Sequence, residues 1–244
     1  MTPLPPGLIS SMLASSSLML GLVGLLLVYT ATQTVIATGK RIGFILISGI
    51  LLIGWFATAV TLARRGFFIG TSFSFLPNVS LLFVPIMTVL TILAKSNTLK
   101  IITANIPQTG LMAIQTFRIM GVAFLMLYIQ GLMPAEFAIP SGIGDVIIGT
   151  TAPLMAYLVT TKRSESKILA VIWNIAGFGE LSLAIVLGFS TSPTPYQTLA
   201  LNNPNDLLFA YPLALIPIFV VPLSLILHIF SLRILLKKKT AGFS

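Results

Sequence analysis

The chain has 244 residues, of which 56% are hydrophobic and 8% charged, and its mean hydropathy is +1.04. Soluble domains carry about 25% charged residues, so fourteen Lys and Arg with five Asp and Glu cannot furnish a water-facing surface of this size. The formal charge of +9 invites a nucleic-acid reading, but most basic residues stand at the ends of apolar runs and no basic groove with interleaved aromatics is visible. The expected partner is therefore the lipid bilayer, with no nucleic acid.

A spanning helix needs about 20 mainly apolar residues, at ~1.5 Å of rise each. Seven runs qualify, near residues 11–36, 42–62, 77–94, 110–132, 141–161, 168–189 and 211–236. They predict an all-α bundle of seven transmembrane helices in a single domain over residues 1–244. The first run has no basic residue ahead of it and exceeds the roughly 7–15-residue core of a signal peptide, so it reads as a retained helix. With the amino terminus outside, Lys40/Arg41, Lys95/Lys100, Lys162/Arg163/Lys167 and Lys237 to Lys239 all fall inside, and only Arg64 and Arg65 fall outside. Cytoplasmic loops carry the excess of Lys and Arg, so the predicted orientation is amino terminus outside and carboxyl terminus inside. The protein is expected in the cell membrane in preference to an organelle membrane.

Two outer connections are longer than the rest. Residues 64–76, RRGFFIGTSFSFL, read as a segment lying in the headgroup region. Residues 190–210, rich in Pro, Asn, Ser and Thr, read as an exposed loop. Spans one to three and five to seven would run in the same direction on either side of a central fourth. This layout resembles that of the SWEET sugar transporters, which implies two parallel repeats about a central span. The dipeptide Pro107-Gln108 is similar to the Pro-Gln of that group, but it precedes the fourth span and is read as coincidence.

Charge at the bilayer centre costs at least ~2.5–3.5 kcal/mol per residue, so an ionisable residue there faces the bundle interior and finds a partner. Arg118, Asp145 and Glu180 are embedded, and His228 and Asn174 lie nearer the inner surface. Counting ~1.5 Å per residue from the inner ends puts Arg118 and His228 ~12 Å in, Asn174 ~9 Å, Glu180 ~18 Å and Asp145 ~24 Å, close to the outer boundary. At 100° per residue, Gly142, Asp145 and Gly149 share one face of the fifth span, Gly177 and Glu180 one of the sixth, Ser224 and His228 one of the seventh, and Gln115 and Arg118 one of the fourth. Arg118 is expected to pair with Glu180 through its long stem. Ser141 is expected to cap the fifth span, leaving Asp145 in the first helical turn. In the seventh span Pro212, Pro217 and Pro222 each remove a backbone donor and kink the helix.

Gly142-Ile-Gly-Asp145 matches the GxGD signature of the intramembrane aspartyl proteases. Their chemistry needs two aspartates sharing a water and a proton, and the only other aspartate, Asp206, lies in a loop. The helix count is similar to that of rhodopsins, but a retinal Schiff base needs a mid-membrane lysine in the last span, where only the terminal lysines occur. A single histidine and no cysteine exclude bis-histidine haem and argue against a metal ligand. No cofactor is expected, and the protein is not read as an enzyme. The leading expectation is a small transporter or channel-like carrier for a proton, cation or small polar solute, with binding candidates Arg118, Glu180, Asp145, His228, Asn174 and Gln115. The alternative is a non-transporting sensor, assembly factor or subunit of a membrane complex held by a structural Arg-Glu pair. A membrane enzyme acting on a lipid-phase substrate ranks last.

Overall fold

The computed structural model describes residues 7–69 and 75–237, and these are helices and connecting turns. The first two helices, α1 (Leu8–Gln33) and α2 (Thr38–Arg64), are antiparallel neighbours at the margin of the bundle. In lipid every backbone and side-chain polar group must find an internal partner. At the end of α1 the buried hydroxyls of Thr30 and of Thr34, the residue that follows the helix, donate to the carbonyls of Leu26 and Thr30, each at 2.7 Å. Part of the predicted headgroup segment 64–76 lies outside the described residues.

The third span, α3 (Phe75–Lys95), is followed at once by a short helix, α4 (Asn97–Ala104). The chain bends by 106° between them. Ser96 makes this bend, because its hydroxyl accepts from the Leu99 amide at 3.2 Å and opens α4. The fourth predicted span is continuous but changes pitch. It runs as α5 (Gln108–Ile114), a 3-10 stretch Gln115–Gly121 and α6 (Val122–Ile129).

The fifth span corrects the expected boundary. It is α7 (Ala135–Leu158), so it begins six residues before the predicted start at 141. After α6, Gly131 adopts φ 71, and its amide and that of Leu132 return to the carbonyls of Tyr128 and Leu127. A left-handed residue there suits glycine and closes the preceding helix tightly. Pro134 then leads into α7, with Glu136 in its first turn. Pro140 sits in the second turn, where it removes only the bond to the Glu136 carbonyl and does not end the helix. Ser141 is therefore inside α7 and caps nothing; its hydroxyl is buried without a partner among the described residues.

The sixth span is α8 (Ser164–Thr191). The segment after it is not simply exposed, as the sequence suggested. It folds back on the bundle: the amides of Asn205 and Leu199 donate to the carbonyls of Thr191 and Ser190, each at 2.9 Å, and Leu208 and Phe209 are buried. Residues 211–214 form turns, so the last span starts later than predicted, with a π-helical stretch Ile216–Val220 leading into α9 (Val221–Leu236). Pro222 cannot donate to the Ile218 carbonyl one turn back, and the Trp55 indole from α2 fills that position, Nε1 to O at 3.1 Å.

Over the last span 72% of the apolar window is buried, against 6% for α2. That makes α9 the central helix, packed on α8, α3 and α5, as befits a helix that is apolar all round. Among the described residues, six helices are long and apolar enough to cross a membrane alone, and the bent pair α3–α4 makes seven if it is one span. The chain is a multi-pass, all-helical membrane protein.

Candidate functional site

Four spans bring their polar residues to one point. Arg118, on the 3-10 stretch, donates from Nε to Asp145 Oδ1 on α7 at 2.6 Å, and its Nη2 is ion-paired with Glu180 Oε2 on α8. Nη1 donates to the Gly177 carbonyl at 3.4 Å and lies 3.4 Å from His228 Nε2 on α9. The guanidinium is sealed, its side chain 1% exposed, while those of Asp145 and Glu180 are 17% and 12% exposed.

The estimated depths therefore fail for Asp145. Because α7 starts at Ala135, Asp145 stands roughly ten residues, about 15 Å, from the helix end. Arg118, Glu180 and His228 lie at a comparable distance from the same end of their spans. The aspartate is a mid-span partner of Arg118 at the level of Glu180, not an outer-leaflet carboxylate.

Close helix approach makes this possible. A Cβ built on Gly177 would lie 2.6 Å from His228 Cε1 and 3.3 Å from Arg118 Nη1, so only glycine lets the ring and guanidinium rest on the α8 backbone. Gly144 on α7 admits the Glu180 side chain in the same way.

The hydrogen-bond roles fix the histidine. Guanidinium carries donors only, so facing Arg118 the His228 Nε2 must accept. Nδ1 then donates to Asn174 Oδ1 at 2.9 Å, and Asn174 Nδ2 in turn donates to the Ala170 carbonyl at 2.7 Å. This network assigns the neutral Nδ1–H tautomer. Gln115 is brought near but serves a different contact. Its Nε2 donates to the Ser224 carbonyl at 3.3 Å, and its Oε1 accepts from the Ser224 hydroxyl at 3.2 Å. Gln108, which the sequence marked only as part of the Pro107-Gln108 dipeptide and not as a site residue, donates to the Ser231 carbonyl at 2.9 Å. One heptad separates the two rungs on each helix, and that spacing was the available signal.

The cluster is unequal in its ionisable groups. One guanidinium faces two carboxylates beside a neutral imidazole, and Glu180 Oε1 is buried without a hydrogen-bond partner among the described residues. Beside it runs a narrow crevice that reaches from the Phe137 and Gly188 end of the bundle to Asp145. Phe124, Phe137, Phe189 and Phe209 contribute to its walls.

The fold and cluster thus define a multi-pass membrane protein with a buried arginine-carboxylate centre. It belongs to the family described as a domain of unknown function (DUF8737), whose model matches residues 76–236. That match takes in α3 to α9 and every residue of the cluster, and leaves out α1 and α2. No curated protein and no solved structure matches the chain.

Proposed function

We propose that the protein is a small carrier whose buried cluster binds a proton or a cation, seven spans crossing the cell membrane with the amino terminus outside and the carboxyl terminus inside. The observation that carries this reading is the charge count of the cluster. Arg118 answers one of the two carboxylates, Asp145 and Glu180, and the imidazole beside them acts as an acceptor. An uncompensated charge in a low-dielectric interior is costly enough that a mobile positive charge completes it. The crevice offers that charge a route from one end of the bundle. Gln115 and Asn174 act on the cluster indirectly, by holding α9 and the His228 ring in register.

A second reading is a non-transporting sensor, assembly factor or complex subunit. It is favoured by the sealing of Arg118, which suits a register-fixing ion cluster. Ion flux into proteoliposomes separates the two. The carrier reading expects flux with the wild-type chain and its loss in Glu180→Gln and Arg118→Ala, with Glu136→Gln, an exposed carboxylate on α7, as the control that keeps it. Flux that is absent from the wild type, or unchanged in both variants, dismisses it.

A further inference from the structure

The surroundings of Asp145 decide which cation the cluster takes. The crevice that reaches it has a cavity volume of about 30 Å³, room for about one water molecule. Asp145 is the one charged residue in its lining, which is otherwise phenylalanines, aliphatic residues, Gly188 and Pro217. A metal ion exchanges its water shell for several oxygen ligands, from carboxylates or backbone carbonyls, and hydrocarbon walls supply none. The other groups of the cluster are already engaged. The Gly177 carbonyl accepts from Arg118, His228 Nε2 faces the same guanidinium, and Nδ1 is bonded to Asn174. Among the described residues no three of His, Cys, Asp and Glu are placed to hold a metal ion. A proton needs neither room nor a ligand shell.

The two carboxyl groups are not equivalent hosts for it. Glu180 is ion-paired through Oε2, and its Oε1 is buried without a hydrogen-bond partner, so a proton there would have no acceptor among the described residues. Asp145 accepts from Arg118 through Oδ1 and lines the crevice, which leaves Oδ2 to carry a proton and a single water to accept from it. Like charges that share a site disfavour their joint ionisation, and one proton removes the conflict. Elsewhere around α7, His228 stands behind the guanidinium on α9, α5 carries no ionisable side chain, and Tyr128 in the last turn of α6 is exposed.

We infer that the ion is a proton and that Asp145 binds it, with Glu180 as the fixed counter-charge of Arg118. This rests on the carrier reading and names its substrate. In the uptake step an O–H bond of a hydronium ion breaks, an O–H bond forms at Asp145 Oδ2, and a water is left. Arg118 then keeps a neutral acceptor at Oδ1 and a full ion pair with Glu180.

Asp145 and Asp206 are the two aspartates of the chain, and Asp206 is exposed in the segment after α8. Full-length Asp206→Asn, labelled with carbon-13 at the aspartate carboxyl and held in lipid bilayers, therefore reports on Asp145 alone with the cluster untouched. Solid-state NMR at neutral pH is expected to show a carboxylic acid. Adding Glu180→Gln should shift the resonance to that of a carboxylate, because Asp145 is then the sole ionised partner of Arg118. Added sodium or potassium should leave the acid resonance in place. A carboxylate at neutral pH in Asp206→Asn, an acid that persists with Glu180→Gln, or conversion of the acid by either metal ion overturns the inference. If the Glu180→Gln chain does not fold, the first spectrum and the metal titration decide the matter alone. Glu180-dependent flux of sodium or potassium with Asp145 read as a carboxylate overturns this inference and leaves the carrier reading standing. A protonated Asp145 in a chain without any flux upholds the site and overturns the carrier.

Discussion

Arg118 Nε and Asp145 Oδ1 lie 2.6 Å apart, joining the 3-10 stretch of one span to the middle of the next. The same guanidinium is ion-paired with Glu180 on a third span and faces His228 on a fourth. One side chain thus ties together the helices that pack most closely, and the predictions follow from its position.

Replacing Arg118 with alanine leaves two carboxylates near one another without a counter-charge. Removing one partner of a buried pair costs about 3–5 kcal/mol. Thermal melting of the purified chain should show a loss of that order. Arg118→Lys should rescue little of it, because a single ammonium cannot serve Asp145, Glu180 and the Gly177 carbonyl together. Full rescue by lysine would mean that only the charge matters and not the fork.

Gly177 and Gly179, two residues apart on α8, should respond in opposite directions to alanine. A Cβ on Gly177 meets the His228 ring at 2.6–2.7 Å, whereas one on Gly179 meets nothing within 4 Å. Overpacking against a buried ring should destabilise Gly177→Ala by ~1–3 kcal/mol. Gly179→Ala should be neutral or gain about 0.5–1 kcal/mol, the usual preference for alanine in a helix interior. Equal melting temperatures for the two variants would contradict the close approach of α8 and α9.

Trp55 should be coupled to Pro222. Trp55→Phe keeps an aromatic ring against Phe219, whose centroid lies 4.9 Å from that of the indole, but removes the donor to the Ile218 carbonyl. A buried acceptor left unpaired costs ~1–3 kcal/mol. Pro222→Ala restores a backbone N–H for that carbonyl, so the cost of Trp55→Phe should shrink in the Pro222→Ala background. A double-mutant cycle with no coupling would show that the indole bond does not substitute for the missing amide.

Since His228 is the sole histidine, nitrogen-15 labelling of histidine reports on it alone. The bonds to Asn174 and Arg118 predict a neutral ring protonated on Nδ1. An imidazolium spectrum at neutral pH would balance the two carboxylates and remove the charge argument for a bound cation.

Much of this arrangement was legible in the sequence. Hydropathy marked the apolar runs, and helical phase put Asp145 on a face with Gly149 and Glu180 on one with Gly177, glycines that each meet a neighbouring helix in the structure. Asp145 was misplaced in depth because Ser141 was taken as the cap of the fifth span, whose helix starts at Ala135. The better signals were Gly131, whose positive φ ends α6, and Pro134 with Glu136, which open α7. The centrality of α9 was not legible, since every lipid-embedded run is apolar and only packing separates a helix that faces lipid from one that faces protein. Nor could composition show that residues around Asn205 and Phe209 fold back over the crevice, because their bonds to the end of α8 are backbone bonds.

The central claim, that the cluster holds one negative charge more than its own residues balance, is tested most directly by the melting temperature of Glu180→Gln. Glutamine keeps the shape and an oxygen acceptor for Arg118 while leaving Arg118 and Asp145 as a balanced pair. The account predicts stability equal to or above wild type, within about 1 kcal/mol, since a surplus buried charge has been removed. A loss of about 3–5 kcal/mol, the cost of breaking a balanced buried pair, would contradict it.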